Sequence, residues 1–136
     1  FSGNWQKIYV NGSDLPSVQS TIAAKLTQDK SIDYVITLGA LMALGAIDAI
    51  KDAGSSAKLG TFDFNPQIPP KITNGELQFA IDQQPYLQGY LAVDSLWLYK
   101  NNGNVLGGGQ PTLTGPFLVD KTNIDIVGKF AEGGTR

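Results

Sequence analysis

The chain has 136 residues, with ten basic and twelve acidic side chains for a net charge of −2, and it contains neither cysteine nor histidine. Without those two residue types it can form no disulfide, zinc knuckle, thiol nucleophile or Ser-His-Asp relay. The slight acidic excess argues against nucleic acid as a partner, because a phosphate-binding surface needs clustered Lys and Arg.

The first half of the chain alternates β-branched runs with helical stretches. Strands are predicted at 6–10, 34–38, 58–63 and 78–82. A helix is predicted from Asp14, which suits an N-cap, to about Gln28, and another over 40–53 with Gly54 at its C-terminal end. The continuous apolar run at 34–38 predicts a strand covered on both faces. This alternation is typical of an α/β fold with a doubly wound parallel sheet and helices on both faces.

The second half has a different character from Pro85 onward. The predicted helix at 86–100 has apolar residues over more than one stripe, so it needs neighbours on most of its sides. The Gly- and Asn-rich stretch 101–109 predicts a mobile loop. An extended segment at 112–119 and a final amphipathic helix at 123–131 complete the chain.

The candidate binding residues follow the ends of the predicted strands. Ligands of open parallel sheets bind beyond the carboxyl ends of the strands. Gly39 follows the second predicted strand, Phe62 and Asp63 end the third, and Gln83 follows the fourth. Carboxylates and amides suit bidentate hydrogen bonding to neutral polyols, and an aromatic ring can pack on the apolar face of a sugar.

Three of these residues, Asp63, Gln83 and Phe62, also have a plainer explanation. Asp63 fits a helix cap or a turn, and Gln83, in a Gln-Gln-Pro step, fits a surface loop. Phe62 and Phe64 flank Asp63, so at least one of them is expected in the core. The acidic residues form no catalytic constellation or metal-ligand pattern, so the sequence predicts no enzyme, no metal and no cofactor.

Three stretches of sequence carry a resemblance to a known family. They are IDYVITLGALMALGAIDAIKDAG from Ile32, KLGTFDFNPQIPPKITNGELQFAIDQQPYLQGYLAVDSLWLY from Lys58, and TGPFLVDKTN from Thr114. In this order they resemble the C-terminal half of type I periplasmic sugar-binding proteins, the solute receptors of ABC importers in the ribose and galactose branch. The resemblance implies a two-lobed receptor that closes on one sugar and presents it to a membrane permease.

The resemblance also implies roles for single residues. In the family, the aspartate that ends a G-F-D strand hydrogen-bonds sugar hydroxyls, and Asp63 occupies that position. The glutamine before the crossover proline contacts the sugar at the hinge, and Gln83 matches it. A polar residue is usual where this sequence has Gly39. We therefore expect one hydroxyl contact to be missing and the ligand to be different or larger.

The resemblance divides the chain between two lobes. Residues 1–84 match the second lobe without its first βα unit, residues 85–114 match a segment of the first lobe, and residues 115–136 return to the second. The chain also begins at Phe1 rather than at methionine. We expect a C-terminal piece of a longer receptor, whose N-terminal half is a separate chain or is replaced by dimer contacts. The expected location is periplasmic or extracytoplasmic, with a lipid anchor on the missing N-terminus.

A second class of protein shares the implied fold. The ligand-binding domains of sugar-responsive transcriptional repressors are similar, but those proteins carry a basic helix-turn-helix ahead of the receptor part. The acidic balance of this chain and its IDQQPYLQGY stretch favour the importer class. The residues upstream of this chain would decide between the two.

Overall fold

The computed structural model describes residues 3–136, which form an α/β fold. In chain order the elements are α1 (Leu15–Gln28), β1 (Tyr34–Thr37), α2 (Ala40–Asp52), β2 (Lys58–Phe62), α3 (Ile68–Thr73), β3 (Phe79–Asp82), α4 (Pro85–Asn102), a short 3-10 helix (Leu106–Gly109), β4 (Phe117–Asp120) and α5 (Ile124–Glu132). No helix among these residues is both long and apolar enough to cross a membrane.

The strands form one sheet in the order β1-β2-β3-β4. The first three strands are parallel, which confirms the α/β class and the largely parallel open sheet. Strand β4 is antiparallel to β3, with Phe117 opposite Asp82. The direction reverses because the chain leaves the sheet at the carboxyl end of β3 and returns at that same end.

The predicted strand at 6–10 is wrong, since these residues form no strand. A β-branched composition does not suffice, because a strand is stabilised by a paired neighbour. Strand β1 pairs with β2 on one side, and its other edge has no strand among residues 3–136. Ile8 and Tyr9 are accordingly exposed.

Helices α1 and α2 pack closely against each other. The Asp14 side chain accepts a hydrogen bond from Ser17 N at 3.3 Å, which confirms the predicted N-cap. Buried residues four apart, Val18, Ile22 and Leu26, form the inner side of α1. On α2, a Cβ added to Gly45 would lie 3.1 Å from Val18 Cγ1, so the glycine permits this close approach.

The two faces of the sheet differ in burial. The covered face carries fully buried residues, namely Leu59, Thr61, Ala80 and Val119, against the apolar sides of the helices. The open face carries Tyr34, Ile36, Phe62 and Leu118, which are 37–49 % exposed. The expectation that β1 is covered on both faces is therefore wrong, because nothing in the described residues covers the open face.

Helix α4 forms as predicted but has no buried residue. It begins with Pro85 in its first turn and extends to Asn102, where Gly103 in the left-handed conformation (φ 72°) follows it. The predicted loop at 101–109 is therefore partly helical, since it contains the last residues of α4 and the 3-10 helix.

Candidate ligand site at the carboxyl end of the sheet

The structure brings Asp63 and Gln83 together. Strands β2 and β3 are parallel neighbours with Phe62 opposite Ile81, so the residues that follow each strand lie side by side. Gln83 Nε2 donates a hydrogen bond to Asp63 Oδ1 at 2.6 Å. The amide engages one carboxylate oxygen and leaves Oδ2 available to a ligand.

The backbone on either side of this pair is unusual. Asp63 (φ 66°) and Gln84 (φ 57°) are the non-glycine residues with positive φ in the described part of the chain. Such conformations cost about 1–3 kcal/mol each and concentrate at functional sites. Asp82 Oδ1 holds Gln84 in place by accepting a hydrogen bond from its backbone N at 2.7 Å.

Asp63 does not serve as a helix cap. Helix α3 begins at Ile68 with Gln67 as its N-cap, four residues beyond Asp63. The Asp63 backbone N donates to Ile81 O at 2.9 Å, which fixes the residue at the edge of the sheet. Its side chain thus faces Gln83 rather than the start of a helix.

The pair borders a cavity of about 310 Å³. Its lining residues are Asp63, Phe64, Asp82, Gln83, Pro85 and Gln88. Phe64 is 8 % exposed and forms a buried wall, whereas Phe62 lies on the open face of the sheet. Of the four predicted site residues, Asp63 and Gln83 line this cavity, while Phe62 and Gly39 do not.

Gly39 lies at the N-cap of α2 with an extended backbone (φ 177°, ψ 145°). A Cβ added there would lie 2.9 Å from Met42 Cε, the flexible end of a side chain. The neighbouring Leu38 and Leu41 are exposed. The exit of β1 is therefore apolar, in contrast to the polar exits of β2 and β3.

Sequence reasoning missed two residues at this edge. Gln88 Nε2 donates to Gln83 O at 2.9 Å. Gln88 lies one helical turn after Gln84, and this spacing could have predicted that its side chain lies near the start of α4. Arg136 Nε donates to Asp82 Oδ2 at 2.7 Å. No sequence pattern connects Arg136 with Asp82, because the contact depends on how α5 packs.

The polar groups of the site suit a neutral ligand that offers hydroxyl groups. Asp63 and Gln83 supply a carboxylate and an amide, and the carboxylate of the buried Asp82 is already paired with Arg136. The described residues contain no group of three or more His, Cys, Asp or Glu side chains that could hold a metal ion. The arrangement can bind hydroxyl groups without a charged partner.

A second, more open hollow runs along α4. It has a volume of about 430 Å³ and is lined by Pro85, Tyr86, Gly89, Tyr90, Val93 and Asp94. These residues recur at helical spacing, so they form one side of the helix. Pro85 belongs to both hollows, which places this side of α4 next to the Asp63–Gln83 cavity.

Comparison with known proteins gives a consistent result. The family model described as "Periplasmic binding protein domain" matches residues 4–104. A xylose/arabinose-binding protein, XylF, from Sulfolobus acidocaldarius is 36 % identical over 77 residues, which is 57 % of this chain and 16 % of that protein.

Solved structures match over more of the chain. A carbohydrate transporter from Acidothermus cellulolyticus in complex with myo-inositol is 65 % identical, with a TM-score of 0.95, covering 100 % of this chain and 48 % of that one. A Caulobacter myo-inositol binding protein bound to myo-inositol is 25 % identical, with a TM-score of 0.73, covering 88 % and 41 %. The chain therefore spans about half the length of these proteins.

Proposed function

This chain belongs to the periplasmic binding protein family, and from that premise we propose that it supplies half of the ligand site of a sugar receptor for an ABC importer. The family match confirms the resemblance found in the sequence, and the family is one of substrate-binding proteins rather than enzymes. In the proposed receptor, one polyhydroxylated ring is bound between two lobes and is then delivered to a membrane permease.

The Asp63–Gln83 pair is the observation that carries the proposal. The two side chains are joined at 2.6 Å beside a cavity, and the Asp63 backbone is held in a conformation that is costly for a non-glycine residue. A carboxylate accepts hydrogen bonds from two adjacent hydroxyls, and an amide both donates and accepts. Vicinal diols of a neutral ring fit these groups better than a charged ligand does.

The ligand class is a sugar or a cyclitol, and we propose myo-inositol as the first ligand to test. Two similar structures hold myo-inositol, one of them at 65 % identity over the whole of this chain. Gly39 contributes no side-chain hydrogen bond at the exit of β1, and Leu38 and Leu41 beside it are exposed. In the proposed complex this edge therefore contacts ring carbons rather than hydroxyls.

We assign residues 1–84 and 115–136 to the second lobe, without its first βα unit, and residues 85–114 to the first lobe. The exposed apolar side chains of α4 support this division, because such a helix is stable in water only when it packs against a partner. One edge of β1 has no partner strand among residues 3–136, and together with the open face of the sheet it supports the need for a further strand and helix. The partner in this proposal is the N-terminal half of the receptor.

The decisive experiment is calorimetric titration of the complete receptor with myo-inositol, pentoses and hexoses. We expect Asp63→Ala to weaken binding by about 2–4 kcal/mol, since it removes charge-assisted hydrogen bonds from a desolvated site. Asp63→Asn separates charge from backbone effects, because asparagine tolerates the left-handed conformation. We expect Asp63→Asn to lose about half as much binding free energy as Asp63→Ala. Gln83→Ala is expected to lose less binding free energy than Asp63→Ala.

The matched control is Asp48→Ala, which removes an exposed carboxylate from the middle of α2. It is expected to leave binding unchanged. A loss of less than threefold for Asp63→Ala would remove Asp63 from the site, and wild-type receptor that binds none of these ligands would refute the proposed function.

Delivery to a permease and an extracytoplasmic location are the wider parts of the proposal. They predict that a strain without the receptor gene takes up labelled ligand poorly and that the Asp63→Ala receptor restores uptake only in part. Cell fractionation tests the location, and release of the receptor from membranes by a lipase tests the proposed lipid anchor. Full uptake in the deletion strain would contradict a role in import.

A further inference from the structure

Two chain segments connect the sheet with α4 and with the region after it. The first crossing segment, residues 82–85, leads from β3 into α4, and the second, residues 114–117, leads back into β4. Thr114 Oγ1 donates to Gln83 O at 2.9 Å, and Gln84 Nε2 donates to Thr114 O. The two segments are therefore in direct contact through hydrogen bonds.

The segments also approach each other closely at the backbone. A Cβ added to Gly115 would lie 3.0 Å from Asp82 O and 3.4 Å from Gln83 Cα. A larger residue at position 115 would push the two backbones apart, because the atoms it would meet cannot rotate away. The glycine thus allows the two segments to lie against each other.

Arg136 contacts one residue of each segment. Its Nε donates to Asp82 Oδ2 at 2.7 Å, and its guanidinium carbon lies 4.4 Å from the centre of the Phe117 ring. The Asp82 side chain is fully buried and that of Arg136 is 18 % exposed. A single side chain from beyond α5 therefore holds the ends of β3 and β4 together.

The same contacts continue into the ligand site. Asp82 Oδ1 accepts from the backbone N of Gln84, which stabilises the left-handed conformation of that residue. Gln83 lies between these two residues and donates to Asp63. A change at Arg136 can therefore alter the placement of the Gln83 amide without touching it.

The energetics of the buried Arg136–Asp82 ion pair argue against a role in folding stability alone. Burying two charges incurs a desolvation cost that often cancels their attraction, and apolar replacements are frequently neutral or stabilising. Arg136 Nη2 is buried without a hydrogen-bond acceptor among the described residues. Part of that cost is therefore not compensated in this structure.

We propose that Arg136 and Asp82 are positioning residues for ligand binding, which join the two crossing segments into one unit and thereby fix Gln83 against Asp63. The inference rests on the proposed function, in which these segments form the hinge between two lobes. Arg136 itself is not assigned a contact with the ligand. Its effect on binding is expected to arise through Asp82 and the hinge.

Two measurements test the positioning role of Arg136 and Asp82. Both use the variants Arg136→Gln and Asp82→Asn and the double variant. The first is amide hydrogen exchange in the 136-residue chain, where we expect faster exchange at 82–85 and 114–117 and unchanged exchange in α1 and α2. The second is titration of the complete receptor with myo-inositol, where each single variant is expected to bind about tenfold more weakly. The double variant is expected to lose no more than a single one, because the two residues act as a unit.

Lys129→Gln is the matched control, since Lys129 also lies near an aromatic ring, 5.0 Å from the centre of Phe130, but forms no hydrogen bond or ion pair with either crossing segment among the described residues. It is expected to change neither exchange nor affinity. Arg136→Lys keeps the positive charge and is expected to recover part of the affinity.

Different results would overturn this inference and the proposed function. Unchanged exchange at both crossing segments in Arg136→Gln and in Asp82→Asn would overturn the inference. So would a fall in the unfolding midpoint large enough to explain the affinity loss, because the role would then be structural only. Wild-type receptor that binds no sugar or cyclitol would refute the proposed function, and the exchange measurements on the chain would still decide whether the pair joins the segments.

Discussion

The sheet with its helices and the isolated helix α4 are both rich in apolar residues, yet only the first is packed. Val18, Leu59 and Ile72 have no exposed surface, whereas Leu96 and Trp97 on α4 are 71 % and 62 % exposed. The two regions differ in whether the rest of the chain supplies a partner. Apolar residues therefore mark where contacts are needed, and the fold of the whole protein decides where they are made.

Helix α4 shows what local sequence achieves without such a partner. Pro85 in the first turn and Gly103 after the last one set its ends, and its 18 residues are long enough to form a regular helix. None of its residues is buried. Local signals thus determine the helix, and its exposed apolar side chains mark it as an element that lacks a packing partner among residues 3–136.

The largest effect is expected from removing a buried side chain in the packed region. Leu59→Ala empties a fully buried position in β2 and is expected to lower the free energy of unfolding by about 3 kcal/mol. Chemical denaturation of the 136-residue chain measures this loss. The control Leu41→Ala changes the same residue type at an exposed position of α2, and equal losses at both positions would contradict the assigned core.

Acid sensitivity is expected in the packed region, where an ion-pair cluster centred on Glu76 joins two helices. Glu76 joins α2 to α3 by accepting from Lys51, Asn74 and Lys71. The hydrogen bond from Lys51, followed by those from Asn74 and Lys71, lowers the pKa of Glu76 to about 2. Because the folded-state pKa lies below the ordinary value of 4.5, this stabilisation is present above pH 4.5 and is lost as the pH falls toward 2.

The corresponding measurement is the free energy of unfolding as a function of pH for wild type and Glu76→Gln. Wild type is expected to lose about 1 kcal/mol more than the variant on acidification, a modest figure because water screens a partly exposed ion pair. Parallel profiles for wild type and Glu76→Gln would show that the ion pairs contribute nothing.

The smallest effect is expected on α4 itself. Leu96→Ala should change the stability of the 136-residue chain by less than about 0.5 kcal/mol, since the side chain is mostly in water. In a Trp5→Phe background, Trp97 should show the red-shifted emission of an exposed tryptophan and shift to the blue in the complete receptor. Blue-shifted emission in the isolated chain would show that α4 is already packed.

The sequence was informative wherever short-range rules apply. Periodicity located α1 and α5, helix-forming residues before Gly54 located α2, and parallel neighbouring strands were enough to bring Asp63 and Gln83 together. Long-range contacts were not predictable in the same way. The prediction of a strand at 6–10 is wrong because a strand needs a paired neighbour. The direction of β4 depends on where the chain returns to the sheet after α4. The Asp82–Arg136 contact depends on the packing of α5.

The register of β3 and β4 shows how the chain could be shortened by protein engineering. Asp82 and Phe117 face each other in adjacent antiparallel strands, so the two strands are the arms of a hairpin into which the intervening residues are inserted. A turn of about two to five residues would close that hairpin directly. The α4 insertion is thus a removable module, and genetic excision would give the sheet and its helices an uninterrupted chain.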